Sequence, residues 1–309
     1  MKLKYLMPIF ATVSTIAHAD LPLTVEDLTT DKNRFKLDTS LSYYNQSQTS
    51  LAPQTYGMAD LGNGRVIILP APAAENNSNT DMLIVGAGLR YGISDSWEVG
   101  VRGNFVHTTE RYTIDQKPNQ SNNRFLQDIY LGMQYSFKDN KKFPDSLLFA
   151  EISAYDNTQG LRSKSGSSVL VGGTVYTIND PIVLSLTGSY QYNGNRKTLH
   201  NTAVDLGDVL AINGVVGFAV NPDITLTGGV GIQYKKADNF EDMGQISHNQ
   251  TQTLLNLGMA YALSARSNLT ANVRTNISGG NNSTLSLGIT TKLGALPPPL
   301  SEKYRQSNK

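Results

Sequence analysis

Ten charged residues fall where the two-residue alternation of a β-strand would place them on one common wall. They are Lys36, Asp38, Arg90, Glu98, Arg102, Asp128, Glu151, Lys235, Arg274 and Lys292. Most are flanked in sequence by apolar residues, which the alternation puts on the opposite wall. Guanidinium and carboxylate groups facing one water-filled space could select solutes by charge and size. Paired only with each other, they would merely fill a narrow barrel. Arg90, Glu98, Arg102, Asp128, Glu151, Arg274 and Lys292 are therefore candidates for a pore lining. Of these, Arg90, Glu98, Arg102, Asp128 and Arg274 are expected to form one electrostatic constriction nearer the short turns.

Other chemistries find little support. There is no cysteine, which excludes a disulfide framework and a lipidated N-terminal cysteine. No His, Asp and Glu set has metal-ligand spacing, no phosphate-binding loop occurs, and no cofactor is implied. Beyond the N-terminal segment the histidines are His107, His200 and His248, all at the ends of long polar loops. A Ser, His and Asn phospholipase on a twelve-strand barrel is a remote alternative, but the hydroxyl near His107 is Thr109. With 26 basic and 25 acidic residues there is no concentrated basic face for nucleic acid.

The elements that carry these charges are strands. Ile182, Leu184, Leu186, Tyr190 and Tyr192 alternate with Val183, Ser185, Thr187, Ser189 and Gln191. The same rhythm runs through 224–235, 267–278 and 283–293, and about twelve such segments are counted. The expected spans are 34–48, 81–93, 96–108, 125–138, 147–157, 166–178, 182–194, 207–220, 224–236, 250–263, 267–278 and 283–294. Apolar residues occupy both faces of 147–157 and 207–220, which weakens the pattern there. Short turns such as Asn221-Pro222-Asp223 alternate with long polar connections, including 109–124, 195–206 and 237–249. Trp97, Phe137 and Tyr261 lie near short-turn ends, and Tyr43, Phe105, Tyr155, Tyr192 and Tyr234 near long-loop ends. Two aromatic girdles around an aliphatic band match the two interfaces of a membrane. The fold class is therefore all-β, a closed antiparallel transmembrane β-barrel of about 12 strands, and a soluble sandwich would carry more Lys and Glu on its polar face.

The flanks complete the organisation. Met1–Ala19 has Lys2 and Lys4, an apolar stretch and Ala17-His18-Ala19, a secretory signal peptide cleaved between Ala19 and Asp20. Residues 20–33 are expected as a periplasmic N-terminal segment, 34–294 as the barrel, and 295–309, which contain Pro297-Pro298-Pro299 close to the barrel end, as a periplasmic tail. The long first connection, 51–80, contains Pro53, Pro70, Pro72 and the run Val66-Ile67-Ile68-Leu69. It is expected as a proline-stiffened surface loop, with an inward-folded constriction as the alternative. Long loops at one end imply a Gram-negative outer membrane with these loops outside and both termini in the periplasm. The partners expected are outer-membrane lipids, the barrel assembly machinery and a small organic solute, with no nucleic acid.

Two segments carry a family resemblance. They are Leu89-Arg90-Tyr91-Gly92-Ile93-Ser94-Asp95-Ser96-Trp97-Glu98-Val99-Gly100-Val101 and Gln127-Asp128-Ile129-Tyr130-Leu131-Gly132-Met133-Gln134-Tyr135. The chain resembles, over about 34–294, the barrels connected with the meta-cleavage pathway of phenol degradation. The resemblance implies a porin-like outer-membrane channel or transport role for small organic compounds, working passively and without enzymatic activity. A structural role, anchoring or assisting a surface appendage, is the alternative of another class. Many such barrels end on an aromatic residue, whereas here the assembly signal would be internal, near Gly288 to Leu293.

Overall fold

A computed structural model describes residues 28–48, 57–69, 78–114, 117–137, 144–157, 161–162, 168–198, 203–240, 244–245, 248–278 and 281–294. The expected signal peptide with Ala19 and Asp20, the 295–309 tail and His200 lie outside the described residues. No helix there is long and apolar enough to cross a membrane, which says nothing about a strand barrel.

Nineteen strands occur among the described residues. In chain order they begin with β1 (Phe35–Gln48), β2 (Gly57–Gly62), β3 (Arg65–Leu69), β4 (Ser78–Gly92), β5 (Trp97–Ile114) and β6 (Lys117–Phe137). Next come β7 (Asp145–Asp156), β8 (Leu161–Arg162), β9 (Ser168–Asn179), β10 (Ile182–Asn193), β11 (Arg196–Thr198) and β12 (Ala203–Asp205). The rest are β13 (Val209–Asn221), β14 (Ile224–Lys235), β15 (Asn239–Phe240), β16 (Gly244–Gln245), β17 (Gln250–Ser264), β18 (Ser267–Ser278) and β19 (Asn281–Leu293). Twelve of them close one antiparallel barrel in the order β1-β19-β18-β17-β14-β13-β10-β9-β7-β6-β5-β4. Every one of the twelve expected segments is a barrel strand. Closure comes from β1 pairing with β19, Phe35 opposite Leu293 and Ser47 opposite Asn281, so no edge is left unpaired.

The alternation explains why the barrel stands in lipid. Leu184, Leu186, Leu226, Val230, Leu257 and Leu287 all point outward and are exposed, with Trp97 and Phe137 at one end and Tyr43 and Tyr192 at the other. In hydrocarbon this face needs no partner, while the strand backbones pair along continuous antiparallel ladders around the barrel. The polar parity set is turned inward.

Two expectations about the connections are corrected. Residues 109–114 and 117–124 are strand and not loop: β5 and β6 stay paired from Trp97 opposite Tyr135 up to Ile114 opposite Lys117. Thr109 to Arg124 alternate without a strong apolar face, so the period gave no strand signal above the aliphatic band. The connections near 158–165, 195–206 and 237–249 likewise contribute β8, β11, β12, β15 and β16, which form a separate five-stranded sheet. At this end are two buried ion pairs, Arg196 of β11 with Asp156 of β7 and Lys235 of β14 with Asp238.

Candidate functional site

The lumen is occupied from both ends. From the long-loop end comes the β2–β3 hairpin, which corrects the expectation of a surface loop. Its turn, Asn63-Gly64, has φ of 53° and 75°. Positive φ at both central residues is the two-residue turn whose twist matches paired strands, and Asn-Gly is its preferred sequence. The hairpin registers Met58 with Ile68 and Ala59 with Ile67.

Both faces of the hairpin are apolar at the base, and the barrel together with the segment around β12 supplies matching side chains. Met58, Val66 and Ile68 pack with Val204, Leu206, Val209 and Ala211. On the other face Ala59 and Ile67 pack with Tyr44, Met82, Ile84 and Val106, with Leu61 and Phe125 alongside. A water-filled lumen would leave these groups wet, so burying each large one stabilises the inserted state by roughly 1.5–3 kcal/mol.

The tip is held by polar contacts to strands around the whole circumference. Gln233 Nε2 donates to Asp60 Oδ2 at 2.7 Å, and Arg274 Nη1 donates to the Asp60 carbonyl at 3.3 Å. Arg65 pairs with Glu151 at 2.8 Å. Ser189 Oγ donates to the Gly64 carbonyl at 2.6 Å, and Gln127 Nε2 to the Ile68 carbonyl at 3.3 Å. A Cβ at Gly64 would come within 2.8 Å of Ser189 Oγ, so glycine serves both the positive φ and the close approach.

From the short-turn end comes the segment before β1. Thr30 N donates to Glu98 Oε2, Gln134 Nε2 to the Leu28 carbonyl and Lys36 Nζ to the Thr29 carbonyl, each at 2.6 Å. Leu28 and Tyr176 pack on Leu147, Phe149 and Leu170. The end of the expected periplasmic segment thus lies inside the barrel mouth.

Between the two inserts is a cavity of about 460 Å³, reached by Leu28 from one side and by Asp60, Gly62 and Arg65 from the other. The candidate charges divide around it. Arg90 pairs with Asp38 at 2.7 Å and with Glu98 at 3.5 Å. Arg102 pairs with Glu151 at 2.7 Å and Asp128 at 3.6 Å, with its guanidinium 4.3 Å from the Tyr130 ring centroid. Asn104 Nδ2 donates to Asp128 Oδ1 at 2.8 Å. Arg274 does not join this cluster; across the lumen it pairs with Asp60 of the hairpin at 3.8 Å. The expected single constriction is therefore divided: Arg90 and Arg102 hold separate carboxylates on one side, and Arg274 faces Asp60 of the hairpin on the other. Lys292 stands opposite Lys36 in the β1–β19 register, at the short-turn end. Lys235 belongs to the buried pair with Asp238 at the opposite end. No His, Cys, Asp and Glu group among the described residues could hold a metal ion.

Sequence reasoning missed Asp60, Arg65 and Gln233. The hairpin residues had a signal in Asn63-Gly64 between the apolar residues Met58, Val66 and Ile68. Gln233 had none beyond inward parity.

A family model described as "Putative MetA-pathway of phenol degradation" matches residues 105–290. The chain belongs to this family. In three dimensions this member is similar to an outer-membrane channel from Pseudomonas putida F1. The TM-score is 0.61 at 11% identity, covering 86% of this chain and 97% of that one. It is also similar to the translocator domain of the autotransporter NalP from Neisseria meningitidis. There the TM-score is 0.51 at 8% identity, covering 87% and 91%. These likenesses show the fold, an outer-membrane β-barrel. No curated protein matches the chain.

Proposed function

We propose that this barrel is a passive outer-membrane channel for small organic solutes, narrowed by its own β2–β3 hairpin. The observation that carries the reading is the hairpin itself, seated in the lumen by two apolar clusters and ringed by polar contacts. A barrel that served only as an anchor would need no insert with separate contacts to β7, β10, β14 and β18. The solved channel from Pseudomonas putida F1, similar in fold, supports the transport class. In this reading the signal peptide is removed between Ala19 and Asp20, the long loops face outward and both termini face the periplasm. The paired arginines and carboxylates line the path, where the charged groups meet water rather than lipid. Outer-membrane lipids surround the aliphatic band, and the barrel assembly machinery reads the last strand before Leu293.

Single-channel conductance in planar bilayers tests this. The full chain should conduct weakly, and replacing residues 57–69 by a short Gly-Ser linker should raise conductance several-fold. Liposome swelling should rise in parallel. Equal conductance with and without the hairpin, or none from either, would overturn the channel reading in favour of a structural role.

A further inference from the structure

The outward wall turns from apolar to basic on one side of the barrel, at the long-loop edge of the aliphatic band. Across β1, β4, β5 and β6, Leu41, Val85, Phe105 and Leu126 share one row of the ladder and all are exposed. The next outward row toward the long loops is Tyr43, Leu83, His107 and Arg124. In the other direction from Tyr43 the same row runs through Leu285, Val273 and Leu257, which are apolar and exposed. Arg111 follows His107 by four residues on β5, also on the outward face. Neither guanidinium is fully engaged. Arg124 is exposed and its Nε donates to His107 Nδ1 at 3.3 Å, while no carboxylate among the described residues pairs with it. Arg111 is fixed through Nη1 alone, by Asp81 and by Asn79 Oδ1 at 3.2 Å, which leaves Nε and Nη2 for another acceptor. Asp81 also accepts from the Tyr43 hydroxyl and, at 2.8 Å, from Asn45 Nδ2. Two guanidinium groups thus stand against one carboxylate whose oxygens are already in use.

An arginine on the lipid-facing wall is tolerated at the edge of the hydrocarbon, where a headgroup can meet it. Guanidinium groups recognise phosphate by charge-assisted, two-point hydrogen bonds. Four residues of strand separate the His107 row from Arg111, about 13 Å, a spacing for two phosphates rather than one. We propose that this patch binds a bisphosphorylated glycolipid of the outer leaflet. One phosphate lies on Arg124 and the other on Arg111, with acyl chains over Leu83, Val85, Phe105 and Leu126. Asp81 is a positioning residue that holds Arg111. The site rests on the outward-facing long loops of the channel reading, and does not require an open lumen.

Native mass spectrometry of the full chain, refolded in detergent so that it carries no cellular lipid, tests the site. Bisphosphorylated lipid A is the probe. Its monophosphorylated form, with the same acyl chains, and phosphatidylglycerol are the controls, and both should bind more weakly. Arg111→Gln with Arg124→Gln should weaken lipid A binding by about tenfold or more, through lost hydrogen bonds between charged groups. Lys236→Gln removes a cation of similar exposure at the same end, following β14 on the opposite side of the barrel, and should leave binding unchanged. Heat-modifiable gel mobility reports folding. If the double variant does not fold, Arg124→Gln alone should still weaken binding, and Arg124→Lys should restore part of it. The site is overturned if either control lipid binds as tightly as lipid A, if the arginine variants bind as wild type does, or if Lys236→Gln weakens binding as much. Wild-type conductance separates the two claims. Conduction without lipid A binding removes the site and leaves the channel, whereas lipid A binding by a barrel that does not conduct removes the channel and leaves the site.

Discussion

The two inserts that enter the lumen are held in different ways. The β2–β3 hairpin brings its own ladder, two apolar clusters and contacts to β7, β10, β14 and β18. Among the described residues the segment before β1 brings no partner strand beyond one parallel bridge from Lys32 to Gly92, and it is held by two backbone hydrogen bonds to Gly92, by single hydrogen bonds with Glu98, Gln134, Lys36 and Tyr91, and by Leu28. The hairpin is a folded part that would leave the lumen as a unit. The N-terminal segment can detach one bond at a time. The same lumen thus has a firm constriction on the long-loop side and a weakly tied strap on the short-turn side.

The largest effect should come from placing a charge beneath the hairpin. Met58→Asp or Ile67→Asp would put an unpaired carboxylate into an apolar cluster, a penalty of several kcal/mol. The hairpin should leave the lumen while the barrel stays closed. The check is protease cleavage within residues 57–69 together with intact heat-modifiable mobility. Cleavage no faster than in wild type would show that the clusters do not hold it.

Asp60→Ala is the next largest. It removes the acceptor of Gln233 and the carboxylate partner of Arg274, which keeps only its bond to the residue-60 carbonyl, at about 1–3 kcal/mol. Hydrogen exchange should speed up across Gly57–Leu69 and stay unchanged in β17 to β19. For the strap, Gln134→Ala loses only the bond to the Leu28 carbonyl, about 0.5–1.5 kcal/mol. Faster exchange confined to 28–31, with no change in the hairpin, would confirm that the two inserts are independent; joint loosening would join them into one lock.

The smallest effect concerns the outer sheet. Burial first, and then the nearby Asp208 and Asp238 carboxylates, push the Asp205 carboxyl above its usual range. The folded state therefore holds this proton more tightly than the unfolded chain. Its contribution is full at low pH and fades as pH rises through the raised range. Exchange in 203–205 should quicken over that interval, and Asp205→Asn should flatten the dependence.

The barrel was legible in the sequence and the inserts were not, for a physical reason. Lipid imposes a long, regular alternation, so Ile182 to Tyr192 or Leu285 to Leu293 announce their outward faces. The inserts answer to a private space inside the barrel, where apolar and polar residues mix as in a soluble core. The two strands with a blurred pattern were nevertheless informative. Leu147 and Phe149 on β7 face inward to meet Leu28, and Val209 and Ala211 on β13 face inward to meet Met58 and Ile68. Apolar residues on the lumen side of a barrel strand mark what fills the lumen. Asn63-Gly64 completed that signal, but the three prolines around it suggested a surface loop. The charge set was assigned to its wall by parity, yet its division into an Arg90 and Arg102 side and an Arg274 side depended on Asp60, whose position no period predicts.

The central claim is that the hairpin sits in the lumen against the far wall. The chain has no native cysteine, so an Asp60→Cys/Gln233→Cys variant can be crosslinked by a short bis-thiol reagent without background. The account predicts rapid intramolecular crosslinking in proteoliposomes, a shifted gel mobility and an unchanged low conductance. Absence of the crosslink, with Asp60→Cys labelled from outside by a bulky thiol reagent as fast as an exposed loop residue, would contradict it.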